Sequence, residues 1–339
     1  MRYLIPAAVT LFTALAAPVA QAGPKTEAIL DQLVLPGMRT LAERTADLDA
    51  AAQADCAANS APLRAAYNQA FDAWIDVSHL RFGPAEAETR GFALAFWPDN
   101  RGMIPKALNG LIAQQDPVVD TPDDFATVSV AGRGFYAMEY LLYDADLASP
   151  ESADYRCRLV RAQAADIART AAALEADWRE RYADLMRNPG ADSPYKTDDE
   201  VLQEFFKAVV TDLEVDADLR LGRPMGKIDA PRPTRAEAWR SGRSLRHVVL
   251  SLTALRQLSD LLDEGDAEVA GRIDKDFDYA LSRADKLTDD PVFAGVATPQ
   301  GRIRIETLQD AIRTIRTDVN EYMGPMLGAA AGFNSLDGD

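Results

Sequence analysis

Apolar residues recur three and four apart through most of this chain, and almost nowhere do they alternate with the period of two that a half-buried strand needs. Ile305, Leu308, Ile312, Ile315 and Val319 keep that spacing, as do Leu245, Val248, Leu252 and Leu255 with Leu262 beyond, and Phe205, Val209 and Leu213. Leu63, Tyr67, Ala70, Phe71 and Trp74 do the same between residues 61 and 82. The start signals agree with the periodicity. Thr121-Pro122 and Thr298-Pro299 each read as an N-cap followed by a proline at the first helical position. Thr197 to Glu200 and Thr234 to Glu237 have capping-box spacing. Gly83-Pro84 and Gly222-Arg223-Pro224 read as stops, and Pro36-Gly37 as a break within a helix over 25–54. Helices are expected over 121–143, 152–187 and 266–288 as well. The 3-4 spacing predicts an all-α fold of two antiparallel helical bundles packed face to face. Phe71-Asp72-Ala73-Trp74 and Ala236-Glu237-Ala238-Trp239 echo each other, which suggests duplication with both tryptophans in long helices. The expected division is a signal peptide over 1–22, a first bundle over 23–150 and a second over 151–339, with a soft boundary between 145 and 195.

The N-terminus reads as an export signal. Arg2 is its positive region, Leu4 to Val19 its apolar stretch, and Ala20-Gln21-Ala22 its cleavage site. Pro6 and Pro18 interrupt the run, which argues against a membrane anchor, and no cysteine follows the site to take a lipid. No later segment has the length of apolar sequence that spans a bilayer. The expectation is a periplasmic protein with no transmembrane segment after cleavage. Its formal net charge of -17 repels nucleic acid and anionic lipid. In an oxidising compartment the two cysteines, Cys56 and Cys157, are expected to pair as a disulfide.

The sequence shows no catalytic constellation. His79 and His247 are its only histidines, and it has no His-Glu-x-x-His, no Gly-x-Ser-x-Gly and no phosphate-binding loop. His79, near a helix C-terminus, reads as a cation facing the helix dipole. The unusual stretch is 132–143. Gly132, Arg133, Tyr136, Glu139, Tyr140 and Tyr143 would share one stripe of a helix, with one cation, one carboxylate and three phenols. That stripe is either a polar ligand pocket around Tyr136 and Glu139 or a solvated face with tyrosines at a bundle edge. Gly132 and Gly134 weaken a helix there, which calls for a close neighbour. Trp97, Asp99 and Arg101 lie in a loop, where Asp99 is either a ligand contact or a cap. Ser241 and Ser244 are three apart and would share a helix face, opposite Glu139 or bonded to their own backbone.

Six segments in order resemble the imelysin family, also catalogued as a peptidase family. Gly134-Phe135-Tyr136-Ala137-Met138-Glu139, followed by Tyr140 to Tyr143, is similar to its Gly-x-His-x-x-Glu signature. Ala73-Trp74 with Arg81-Phe82-Gly83-Pro84, the loop Phe96 to Gly102 and the stretch Trp239 to Ser244 also match, as does the ending Gly332 to Asp339. Tyr136 stands where the family has histidine. The resemblance implies two facing helical bundles, with the signature helix near their interface, in a periplasmic protein linked to iron uptake. It makes Tyr136, Glu139, Gly134, Trp97, Asp99, Arg101, Ser241 and Ser244 the candidate ligand-binding residues. Glu139 and Tyr136 would be the candidate metal ligands, with carboxylate and phenolate oxygens suited to ferric iron. Iron or an iron chelate is the expected ligand. The alternatives are a metal-dependent peptidase and a non-catalytic protein that docks on a membrane receptor or transporter.

Overall fold

In the computed structural model, residues 22–147, 152–263 and 266–329 are described. Residues 1–21 of the stretch 1–22 read as an export signal, and the ending 332–339 matched to the family, lie outside them. Among the described residues there are eleven helices and no strand. They are α1 (residues 24–54), α2 Ala61–Val77, α3 Arg90–Leu94, α4 Met103–Gln114, α5 Pro122–Phe125 and α6 Gly134–Tyr143. There follow α7 (153–187), α8 (198–225), α9 Ser244–Leu262, α10 Ala267–Asp285 and α11 (299–326). None is long and apolar enough to cross a membrane.

Several caps work as the sequence indicates. Thr121, Thr197 and Thr298 each accept a backbone N–H in the first turn of α5, α8 and α11, and Ser60, which the sequence did not single out, does the same for α2. Other expectations change. There is no break at Pro36; instead α1 widens into a π turn at Leu30–Val34, which absorbs the amide the proline lacks. The helix expected over 121–143 is three pieces. It stops after Phe125, passes through a 3-10 turn at Val130–Gly132 and restarts at Gly134. The capping box at Thr234 starts no helix either. Residues 236–243 form turns, with Ala238 at φ 46° and Gly242 at φ 75°, and α9 begins only at Ser244. Trp239 therefore lies in a turn while Trp74 sits in α2, so their echo marks no equivalent positions.

The long α7 packs along α1 and against α3 and α6, while α1 also packs on α2. In the second half α8, α9, α10 and α11 pack on one another. The change of packing partners falls between α7 and α8. Helix α2 against α9 joins the two sets, as does the start of α1, where Lys25 Nζ donates to Leu262 O at 2.6 Å. The Cys56–Cys157 disulfide ties the end of α1 to the start of α7, as the sequence indicated, with Cα atoms 5.1 Å apart. The inner faces of these helices bury Leu41, Phe71, Phe135, Trp178, Phe205, Leu255, Phe277 and Ile312.

Candidate functional site

Helix α6 lies almost wholly inside the protein: residues 134–139, Leu141 and Leu142 are all buried. Its first residue, Gly134, has φ 77°, and a Cβ there would overlap the carbonyls of Ala93 and Leu94 at the end of α3. Only glycine meets both demands. Arg133, just outside the helix, makes a bidentate pair with Asp166 of α7 at 2.8 and 2.9 Å, which fixes the entry angle. Tyr136 and Glu139 are 4% and 3% exposed, so neither faces bulk water.

Both residues bond to the 236–243 turns, but to different groups. The Tyr136 hydroxyl donates to Glu237 Oε1. Glu139 Oε1 accepts from the backbone N–H of Ser241 at 2.9 Å and from its hydroxyl at 2.7 Å. Burial and the charge of Glu237 push the Tyr136 phenol well above its ordinary range, so it stays a neutral donor. Burial raises Glu139 too, opposed by the two bonds from Ser241.

Glu237 belongs to a buried ion cluster that includes Arg220. Arg220 Nε donates to Glu237 Oε2 at 2.8 Å and Nη1 to Asp216 Oδ1 at 2.6 Å, with Asp212 Oδ2 at 3.6 Å. Ser251 Oγ lies 3.0 Å from Asp212 and 2.8 Å from Asp216. His247 accepts from Arg243 at Nε2, 3.0 Å away, which leaves its proton on Nδ1. That atom is 3.1 Å from Glu237 Oε2 but outside hydrogen-bond alignment. Burial would raise Glu237, but the Arg220 guanidinium and the hydrogen bond from Tyr136 hold it well below the usual carboxylate range. Asp216 is pushed up to about 7 by burial, which outweighs its pairing with Arg220. His247 falls to about 4 by burial and is neutral. Asp216 and Arg220 lie on the π turn Val215–Leu221 of α8.

This cluster floors a cavity of about 310 Å³. Tyr136, Arg220 and Glu237 form its polar end. Trp74, Ile75, Ala85, Phe92 and Trp97 supply apolar walls, while Arg81 and Glu86 also line it. Such a mix of apolar lining and a few converging polar groups is typical of small-molecule sites. The Trp97 ring stacks on Tyr136 at 6.3 Å, and Phe92 is 60% exposed.

The Imelysin family model (peptidase family M75) matches residues 34–319. The chain belongs to the imelysin family. Iron-regulated protein A of Synechococcus elongatus is 25% identical over 326 residues, which cover 89% of this chain and 85% of that protein. The solved imelysin-like protein of Psychrobacter arcticum 273-4 shares the fold with a TM-score of 0.76, at 20% identity, over 93% of this chain and all of that one. A candidate iron-regulated protein A precursor from Parabacteroides distasonis ATCC 8503 follows, with a TM-score of 0.71, 13% identity and coverage of 87% and 92%.

This imelysin distributes the sequence-derived candidates unevenly. Tyr136 and Trp97 line the cavity, and Gly134 seats the helix that carries Tyr136. Glu139 and Ser241 pair with each other outside its lining. Ser244 is not on a shared face with Ser241; it opens α9 and donates to Glu237 O at 2.5 Å. Asp99 caps α4, accepting from the N–H groups of Arg101, Met103 and Ile104 at 3.2, 2.9 and 2.8 Å. Arg101 is exposed. Sequence reasoning missed Glu237, Arg220, Asp216 and Asp212. Asp212, Asp216 and Arg220 recur every fourth residue beside Val209, Leu213 and Ala217, and charge on the apolar face of a helix was the available signal. Glu237 had none, because its capping-box spacing pointed elsewhere.

Proposed function

We propose that this imelysin is an exported binding protein of iron acquisition and that its ligand enters the cavity floored by Tyr136, Arg220 and Glu237. One observation carries the reading: a buried ion cluster lies at the end of an apolar cavity rather than in closed packing. Buried ion pairs cost desolvation that apolar packing avoids, so a cluster at this place is better explained by a ligand than by stability. The iron-related names of two relatives give the ligand's class. The export signal read at residues 1–22 gives the periplasmic location.

Iron then arrives as a chelate. Tyr136 and Glu139 were candidate iron ligands, but the first spends its proton on Glu237 and the second accepts twice from Ser241. Among the described residues no three His, Cys, Asp or Glu side chains are grouped to hold a metal ion. The test loads the purified protein with ferric nitrilotriacetate, removes excess by gel filtration and measures retained iron. Iron retained near one equivalent, with quenching of the cavity tryptophans, is expected. No retention and no quenching would refute the iron reading.

A further inference from the structure

The polar groups lining the cavity are unequally satisfied. Its buried acceptor is used: Glu237 takes one hydrogen from Tyr136 and one from Arg220. Its donors are not. Arg220 uses Nε and Nη1, and among the described residues Nη2 makes no hydrogen bond. Arg220 is 2% exposed, so that open edge meets the cavity it lines rather than bulk solvent. Arg81 spends Nε on Ser78 O at 3.2 Å and Nη2 on Asp212 at 3.0 Å, and Nη1 is left without an acceptor. The one remaining carboxylate, Glu86, is exposed and accepts from the Gly83 N–H at 3.1 Å.

We infer that the ligand of this cavity is a compact organic anion: an aromatic ring bearing a carboxylate, with the ring against Trp74, Phe92 and Trp97 and the carboxylate received by Arg220 and Arg81. This rests on the cavity being the binding site. An unpaired guanidinium edge matches a carboxylate in geometry and charge; Arg220 offers one from a buried position, where charge-assisted bonds are strong, and Arg81 one from a side chain that is 52% exposed. Aromatic walls favour a ring over an aliphatic chain. The volume of about 310 Å³ admits one or two rings and cannot enclose a macrocycle. The overall charge of -17 opposes an anion at long range. That field is screened within about 8 Å at physiological salt, whereas the guanidinium groups act at contact.

Tryptophan fluorescence titration tests this with two probes, 2,3-dihydroxybenzoate and catechol, which differ only by the carboxylate. The acid should bind saturably, and catechol at least roughly tenfold more weakly. Arg81→Gln should weaken the acid roughly tenfold, leave catechol unchanged and spare the circular dichroism spectrum, with Arg81→Lys in between. Arg220→Gln should lose the acid as well; Arg81 keeps the test valid if that variant fails to fold. Equal binding of the two rings, binding of neither, or an unaffected Arg81→Gln would overturn the inference. Retention of ferric iron with no binding of either ring leaves the iron reading standing and sinks this one. Binding of the acid with no retained iron, and no effect of ferric iron on its affinity, does the reverse.

Discussion

At Gly134 two constraints meet in one residue: a left-handed backbone and the carbonyls of Ala93 and Leu94 where a Cβ would stand. Gly134→Ala is therefore expected to cost about 3 kcal/mol or more, since strain and overlap add. Urea denaturation measures it, and an unchanged midpoint would contradict the geometry. Tyr136 is constrained by chemistry instead. Tyr136→Phe keeps the ring against Phe71 and Trp97 but removes a donor from buried Glu237. The expected loss is about 1–3 kcal/mol, the cost of an under-satisfied buried acceptor, read from the same denaturation curves.

Single elements carry information that their residues alone do not. The π turn in α8 brings Arg220 to the cavity floor with Asp216 behind it, and the irregular 236–243 segment delivers Glu237 to the same point. At the end of α2, His79 is 2% exposed, and neither ring nitrogen has a hydrogen-bond partner. Burial lowers it from 6.5 to about 4, so it is neutral and not the helix-end cation its position suggested. Between those values the unfolded chain binds more protons than the folded one, so this residue's contribution to stability falls as pH drops from about 6.5 to 4. His79→Leu should then gain more over wild type at pH 5 than at pH 7.5, by on the order of 2 kcal/mol. A gain that is equal at both pH values would mean that His79 titrates in the fold as it does in the unfolded chain.

For the whole molecule, the Cys56–Cys157 bridge closes a loop of 101 residues between α1 and α7, two helices of the packing set that seats α6. Removing it by paired serine substitutions is expected to cost about 2–5 kcal/mol, through the freedom restored to the unfolded chain. Chemical denaturation with and without a reductant checks this. If reduction leaves the midpoint in place, packing alone holds α1 on α7. The titration of His79 and the loss of the bridge concern different regions, so their effects should add.

Helix periodicity needs only local information, because one apolar face must be buried whatever it packs against. The all-α class, the Thr197 and Thr298 caps, the long α7 and the cysteine pair were therefore legible in residue order. So was the special status of Gly134, Tyr136 and Glu139, through their spacing and through the family signature they resemble. What residue order could not say is which polar groups meet. Glu237 looked like the end of a capping box, yet it turns inward to Tyr136 and Arg220, because the turn at Ala238 stops a helix from starting there. Tyr136 and Glu139, three apart on one helix, part company because neighbouring segments offer one a carboxylate and the other a serine. Spacing along a helix fixes which side chains can share a direction. Only the packing of α2, α6, α8 and the 236–243 turns decides what lies in that direction, and so which of those side chains face a cavity.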